Sequence, residues 1–131
     1  MEDTEEFLET ILRQDFSSFI GKVFSTINPG AKYHANWHID LLAEYLEGVR
    51  LGQIKRLIIN MPPRALKSVC VSVAWPAWLL SLNPGTRIMV ASYSSILSIK
   101  HSMDTRLVVS SSWYKKLFPK TKLSKSHNQK S

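Results

Sequence analysis

What this sequence lacks narrows it first. Its 131 residues hold one cysteine, Cys70, so no internal disulfide and no cysteine-based metal cluster can form. Cys70 sits among valines and reads as a small buried apolar residue rather than a reactive one. No apolar run reaches the 18 or more residues of a membrane span, so no bilayer crossing is expected. The start, Met1-Glu2-Asp3-Thr4-Glu5-Glu6, is acidic and has no basic region of the kind that opens a secretory signal. These absences together point to a reducing, cytoplasmic setting. Acid is also scarce beyond the N-terminus. Six of the ten Asp and Glu fall within the first fifteen residues, and from Lys115 onward there are six lysines and no acid. A net charge of +7 distributed this way favours contact with a polyanion, nucleic acid or nucleotide. A solvated lysine-rich tail over 120–131 explains the same lysines without a partner.

What is present has a readable order. Phe7, Leu8, Ile11, Leu12, Phe16, Phe19, Ile20, Val23, Phe24 and Ile27 recur at three and four, which predicts an amphipathic helical segment over 1–30 with a break near Ser17-Ser18. Asn28-Pro29-Gly30 ends it. Trp37, Leu41, Leu42, Tyr45, Leu46 and Val49 form a second stripe, with Asn36 as its N-cap and Gly48 or Gly52 marking its end. In this stripe Trp37 reads as a core anchor. His34 and His38 are four apart, but Asn36 caps between them and no third ligand lies nearby, so they make no metal pair.

The run 55–60 then reads as a buried strand, short and β-branched, ended by Pro62-Pro63. The stretch 68–82 is apolar nearly all round and long enough for a helix, kinked at Pro76. A second strand is expected at 86–92 and a helix at 94–117, the latter with Ile96, Ile99, Met103 and Leu107 at helical spacing. Strands joined by helical crossovers argue for a parallel sheet covered on both faces, an α/β fold.

Between the first strand and its helix lies loop 61–67, followed by Ser68. A strand, a loop and a helix opened by Lys67-Ser68 is the layout of a phosphate-binding loop. Backbone N–H groups and the positive helix end would cradle phosphate there, with Lys67 neutralising charge and the Ser68 hydroxyl taking a place on Mg²⁺. The pattern G-x-x-x-x-G-K-[ST] finds Met61 and Leu66 at both glycine positions.

Several stretches together resemble one family, the large terminase subunit of tailed bacteriophages and prophages. They run from about Tyr33 to Asn128: Trp37-His38, Gly52 to Arg64, Lys67-Ser68, Pro76-Ala77-Trp78, Asn83-Pro84, Ser92-Tyr93-Ser94, Arg106 and Leu117-Phe118-Pro119. The resemblance implies a partial RecA-like P-loop three-layer fold over 31–119, preceded by two N-terminal helices and truncated. It implies a DNA-packaging motor that binds ATP and Mg²⁺. Its partners would be double-stranded DNA, the small terminase subunit, the portal and possibly the other half of a split terminase. By position, Arg64, Lys67 and Ser68 would meet the nucleotide, with Pro62, Pro63, Ala65 and Leu66 forming the rest of the loop. Arg64 would act as an arginine finger. Glycine is usual where Leu66 stands, and a branched side chain there is expected to weaken nucleotide binding. The paired acids that hold Mg²⁺ for hydrolysis are missing, and Asp104 lies mid-helix and does not replace them. The nuclease carboxylates are missing too, so a degraded prophage remnant without turnover is expected. Two other readings stand beside it: a small basic nucleic-acid-binding module with no nucleotide function, and a remnant unstable alone because its sheet is incomplete.

Overall fold

The computed structural model describes residues 2–62 and 65–122. It is built of helices, which make up 65% of it, and there is no strand or sheet among the described residues. Helices α1 (Glu2–Gln14), α2 (Phe16–Ile27) and α3 (Trp37–Arg50) come first. A π-helical segment, Val69–Ala74, leads into α4 (Trp75–Leu82), and α5 (Ser95–Ser110) and α6 (Ser112–Leu117) follow. The expected α/β, RecA-like architecture is therefore wrong for this chain. Residues 55–60 and 86–92 are extended, but neither belongs to a ladder. A β-branched run favours a pleated, half-buried surface, whereas a strand also needs a partner. Here each run lies against helices instead. Leu57, Ile59 and Met61 pack on the core. Ile88 and Val90 overhang a cavity of about 570 Å³ above α5.

The local signals for helix ends are visible in the chain. Asp15 accepts from the Ser18 N–H at 3.2 Å and caps α2, so the first break falls at Asp15 rather than at Ser17-Ser18. Asn36 Oδ1 accepts from the Trp37 N–H at 2.8 Å and caps α3. After Arg50 the chain reverses through Gly52 at φ +79, and the N–H groups of Gln53 and Ile54 both bond to the Gly48 carbonyl. The helix expected over 94–117 is two helices, because Ser111 is extended (ψ 151) between α5 and α6. Pro76 stands in the first turn of α4, directly after the π-helical segment. Having no N–H, it cannot bond to the Ser72 carbonyl in α-helical register. The wide π-helical turn precedes it, and that carbonyl accepts from Thr105 Oγ1 at 3.4 Å.

Aromatic packing organises the core. Phe19 is fully buried, with ring centroids of Trp78, Trp113 and Phe118 at 5.1, 5.6 and 6.2 Å. Burying one such ring stabilises the fold by roughly 1.5–3 kcal/mol, and tilted aromatic contacts add about 0.5–1.5 more per pair. The polar tips of Trp78 and Tyr114 are satisfied, whereas the buried Trp75 indole N–H has no partner among the described residues. Trp78 Nε1 donates to Glu47 Oε1 at 2.7 Å, and Tyr114 Oη donates to the Ala77 carbonyl at 2.7 Å. Burial drives the Tyr114 phenol upward from its ordinary pKa. Thr121 is buried and donates to the Leu80 carbonyl at 2.8 Å, so the chain is still docked where a free tail was expected to begin at 120. The rest of that tail, 123–131, lies outside the described residues. One other expectation fails at the surface. Trp37 is 72% exposed and is no core anchor. On α5 the row Ile96, Ile99, Met103 and Leu107 faces outward while Val108 and Val109 are buried.

Candidate nucleotide-binding loop and groove

The extended run into the loop alternates: Leu57, Ile59 and Met61 turn toward the core, while Ile58 is 86% exposed. Pro62 follows. Pro63 and Arg64 lie outside the described residues, so the expected arginine finger has no structural account. Ala65 and Leu66 are half-buried, and Lys67 and Ser68 are exposed at the first helical positions. Leu66 has φ 63, the one non-glycine residue with positive φ among the described residues. Left-handed backbone costs a branched residue about 1–2 kcal/mol. The Leu66 side chain packs against the core. Partial burial of a leucine contributes a comparable amount, since full burial gives roughly 1.5–3 kcal/mol. The side chain that replaces glycine thus serves as an anchor that holds the backbone in the conformation glycine would allow.

The loop leads directly into a helix. The Cys70 N–H bonds to the Leu66 carbonyl at 3.0 Å, and no side chain caps at Ser68. The first N–H groups of a helix have no intrahelical acceptor and point outward with the positive end of the dipole. The Lys67 ammonium makes no ion pair with any described residue. Cys70, one turn in, is fully buried, and burial pushes its thiol up to about 12, so it plays no nucleophilic part.

A groove of about 780 Å³ runs beside the loop, between α3 and the extended run. Trp37, His38, Leu41 and Tyr45 line one wall, Leu57 to Pro62 the other, and Ala65 closes the loop end. His38 Nε2 donates to the Ala65 carbonyl at 3.3 Å and ties the start of α3 to the loop. The volume lies within the range of small-molecule sites, and the lining is mostly apolar with a few polar groups. Sequence reading passed over this groove because it merged all apolar residues of α3 into one stripe. They form two rows: Trp37, Leu41 and Tyr45 face the groove, while Leu42 and Leu46 face the core. The fourfold spacing of the first row, distinct from the second, was the signal available.

No metal centre accompanies the loop. The donor it offers is the single Ser68 hydroxyl, and no group of three or more His, Cys, Asp or Glu comes together among the described residues. Mg²⁺ takes near-octahedral oxygen coordination, usually with one or two carboxylates, so these residues do not fit a resident ion. Three of the four acids beyond Asp15 are engaged elsewhere: Glu47 by Trp78 and Arg50, Asp104 by Lys100 at 2.7 Å, Asp40 by Ser17. His38 is tied to the Ala65 carbonyl and follows the Asn36 cap of α3, whereas His34 precedes that cap. No helix among the described residues is long and apolar enough to cross a membrane. Comparison of the chain with protein-family models, curated proteins and solved structures found no match.

Proposed function

We propose that loop 61–68 and the groove beside it bind a nucleotide, phosphates at Lys67 and Ser68 and base in the groove, in the manner of a DNA-packaging terminase large subunit but without hydrolysis. The observation that carries this is the left-handed backbone of Leu66 immediately before Lys67-Ser68 at a helix start. That conformation turns successive N–H groups toward one point, which is the device by which backbone binds phosphate. The groove supports the same reading, because Trp37 and Tyr45 on its α3 wall offer aromatic faces for a base. The terminase label rests on the Pro-Pro-Arg-x-x-Lys-Ser residues and their flanks. The α/β sheet forms no part of this proposal. Turnover is absent because this chain brings no carboxylate to the loop to position water or a metal ion.

Titration with a fluorescent ATP analogue tests the reading. Lys67→Ala should weaken binding by at least about tenfold, the loss of roughly 1.4 kcal/mol of charge-assisted contact. Equal affinity in wild type and Lys67→Ala would sink it. Leu66→Gly should improve affinity by less than about tenfold, since the left-handed geometry is already in place and only side-chain obstruction is removed.

A second reading, contact with double-stranded DNA, is favoured by the charge: sixteen Lys and Arg lie beyond Asp15 against four acids. DNA affinity that falls steeply between low and moderate salt supports it, and salt-independent binding excludes it.

A further inference from the structure

The extended run 55–61 makes a second offer that the nucleotide reading does not use. Among the described residues, no backbone N–H or C=O of 55–62 bonds to another backbone group. The run is nevertheless held in place: Leu57, Ile59 and Met61 pack on the core, and Ile58 stands 86% exposed between them. Its conformation is fixed, its side chains alternate with period two, and its hydrogen-bonding edge is bare. A fixed bare edge of this kind is a template for an added strand. We propose that residues 55–61 are a docking edge for an extended segment of another polypeptide, which pairs with them as a β-strand in the complex. The described residues of the isolated chain hold no sheet, and the ladder exists only when the partner is bound.

The edge also states the chemistry of its occupant. Its backbone donors and acceptors repeat at the spacing of a strand, so a helix or a small molecule would take them out of water and leave them unpaired. Ile58 and its neighbours call for β-branched side chains opposite them. Lys55 and Arg56, at the head of the run, are exposed and make no ion pair with a described residue. The partner segment therefore carries acids at the end that meets these two. A second copy of this chain has its own Lys55 and Arg56 on the same edge and a net charge of +7, which opposes self-pairing.

The proposal shares the groove wall Leu57 to Pro62 with the nucleotide reading and differs from it in using the backbone edge of that wall, with no part for Lys67 or Ser68. The full chain is titrated with a synthetic peptide of alternating Val and Thr bearing two glutamates at one end, and amide hydrogen exchange is followed by NMR. Exchange at 57–61 should slow by at least about tenfold on saturation. Methylating alternate peptide nitrogens on the pairing edge should abolish binding, while methylating the intervening ones should leave it intact. The double variant Lys55→Glu with Arg56→Glu should reverse the preference toward a peptide ending in lysines. Equal binding of both methylated peptides would reduce the contact to apolar adhesion and overturn the proposal. So would the absence of protection at 57–61. Protection of the same amides in the chain alone, with sedimentation as a dimer, would overturn it in favour of a second copy.

Discussion

Two parts of this molecule are stabilised in different ways. Around Phe19, side chains from α2, α4 and α6 fill one aromatic core, and the polar tips of Trp78, Tyr114 and Trp113 all find partners within 2.9 Å. On the other side, 57–62 lies on the helices by alternate side chains and 86–93 borders the cavity above α5 with its side chains largely exposed, and the backbone of both is mostly unpaired among the described residues. The first part is closed on itself. The second is ordered but unfinished, with a fixed shape and bare donors, acceptors and apolar surface. Stability resides in the first, and both proposed binding surfaces lie on the second.

The comparison can be broken by substitution. Phe19→Ala should cost about 3–5 kcal/mol, enough to lower the melting temperature by well over 10 °C or to unfold the chain, as a thermal melt would show. Alkylation of Cys70 gives an independent reading, because its buried thiol is reached only on unfolding. It should accelerate steeply in that variant. Glu47→Ala comes next, since it leaves the Trp78 indole N–H without its acceptor and releases Arg50. A loss of about 1–3 kcal/mol in urea denaturation is expected. Ile58→Ala, on the unfinished side, should stay within about 0.5 kcal/mol of wild type. A loss as large as that of Phe19→Ala would mean that the extended run is part of the core after all.

The smallest effect is pH-dependent. Lys116 Nζ lies 2.7 Å from Glu9 Oε1 and ties α1 to α6. The hydrogen bond from Lys116 holds the Glu9 carboxyl below its ordinary pKa. A carboxyl with a depressed folded-state pKa contributes stability that is present above its unfolded value and is lost as pH falls through the folded value. The pair is solvent-exposed, so the contribution is small. Fraying of α1, followed by amide exchange, should increase slightly below the ordinary carboxylate range, and Glu9→Gln should remove that dependence.

Helix ends were legible in the sequence because capping is local: Asn36, Gly48 and Gly52 act within a few residues of themselves. The loop was legible too, since Lys67-Ser68 follows an apolar run and opens a helix. The sheet was misread. Residues 55–60 and 86–92 have strand composition and extended backbone, yet a ladder depends on a partner distant in sequence, and no local pattern reports one. Trp37 was misassigned for a related reason. Periodicity identifies an apolar face but not what lies opposite it.

The wide turn over Val69–Ala74 has a consequence for the loop. It separates Lys67 and Ser68 from the buried face of α4 that carries Ala77 and Trp78. A π-helical turn holds roughly one residue more than an α-helical turn, and in a regular helix one residue corresponds to about 100° of rotation. The turn therefore sets the angular phase between the loop and the aromatic core. Deleting one valine from this run would swing the Lys67 ammonium around the helix axis, away from the groove mouth at Ala65, while Trp78 kept its place.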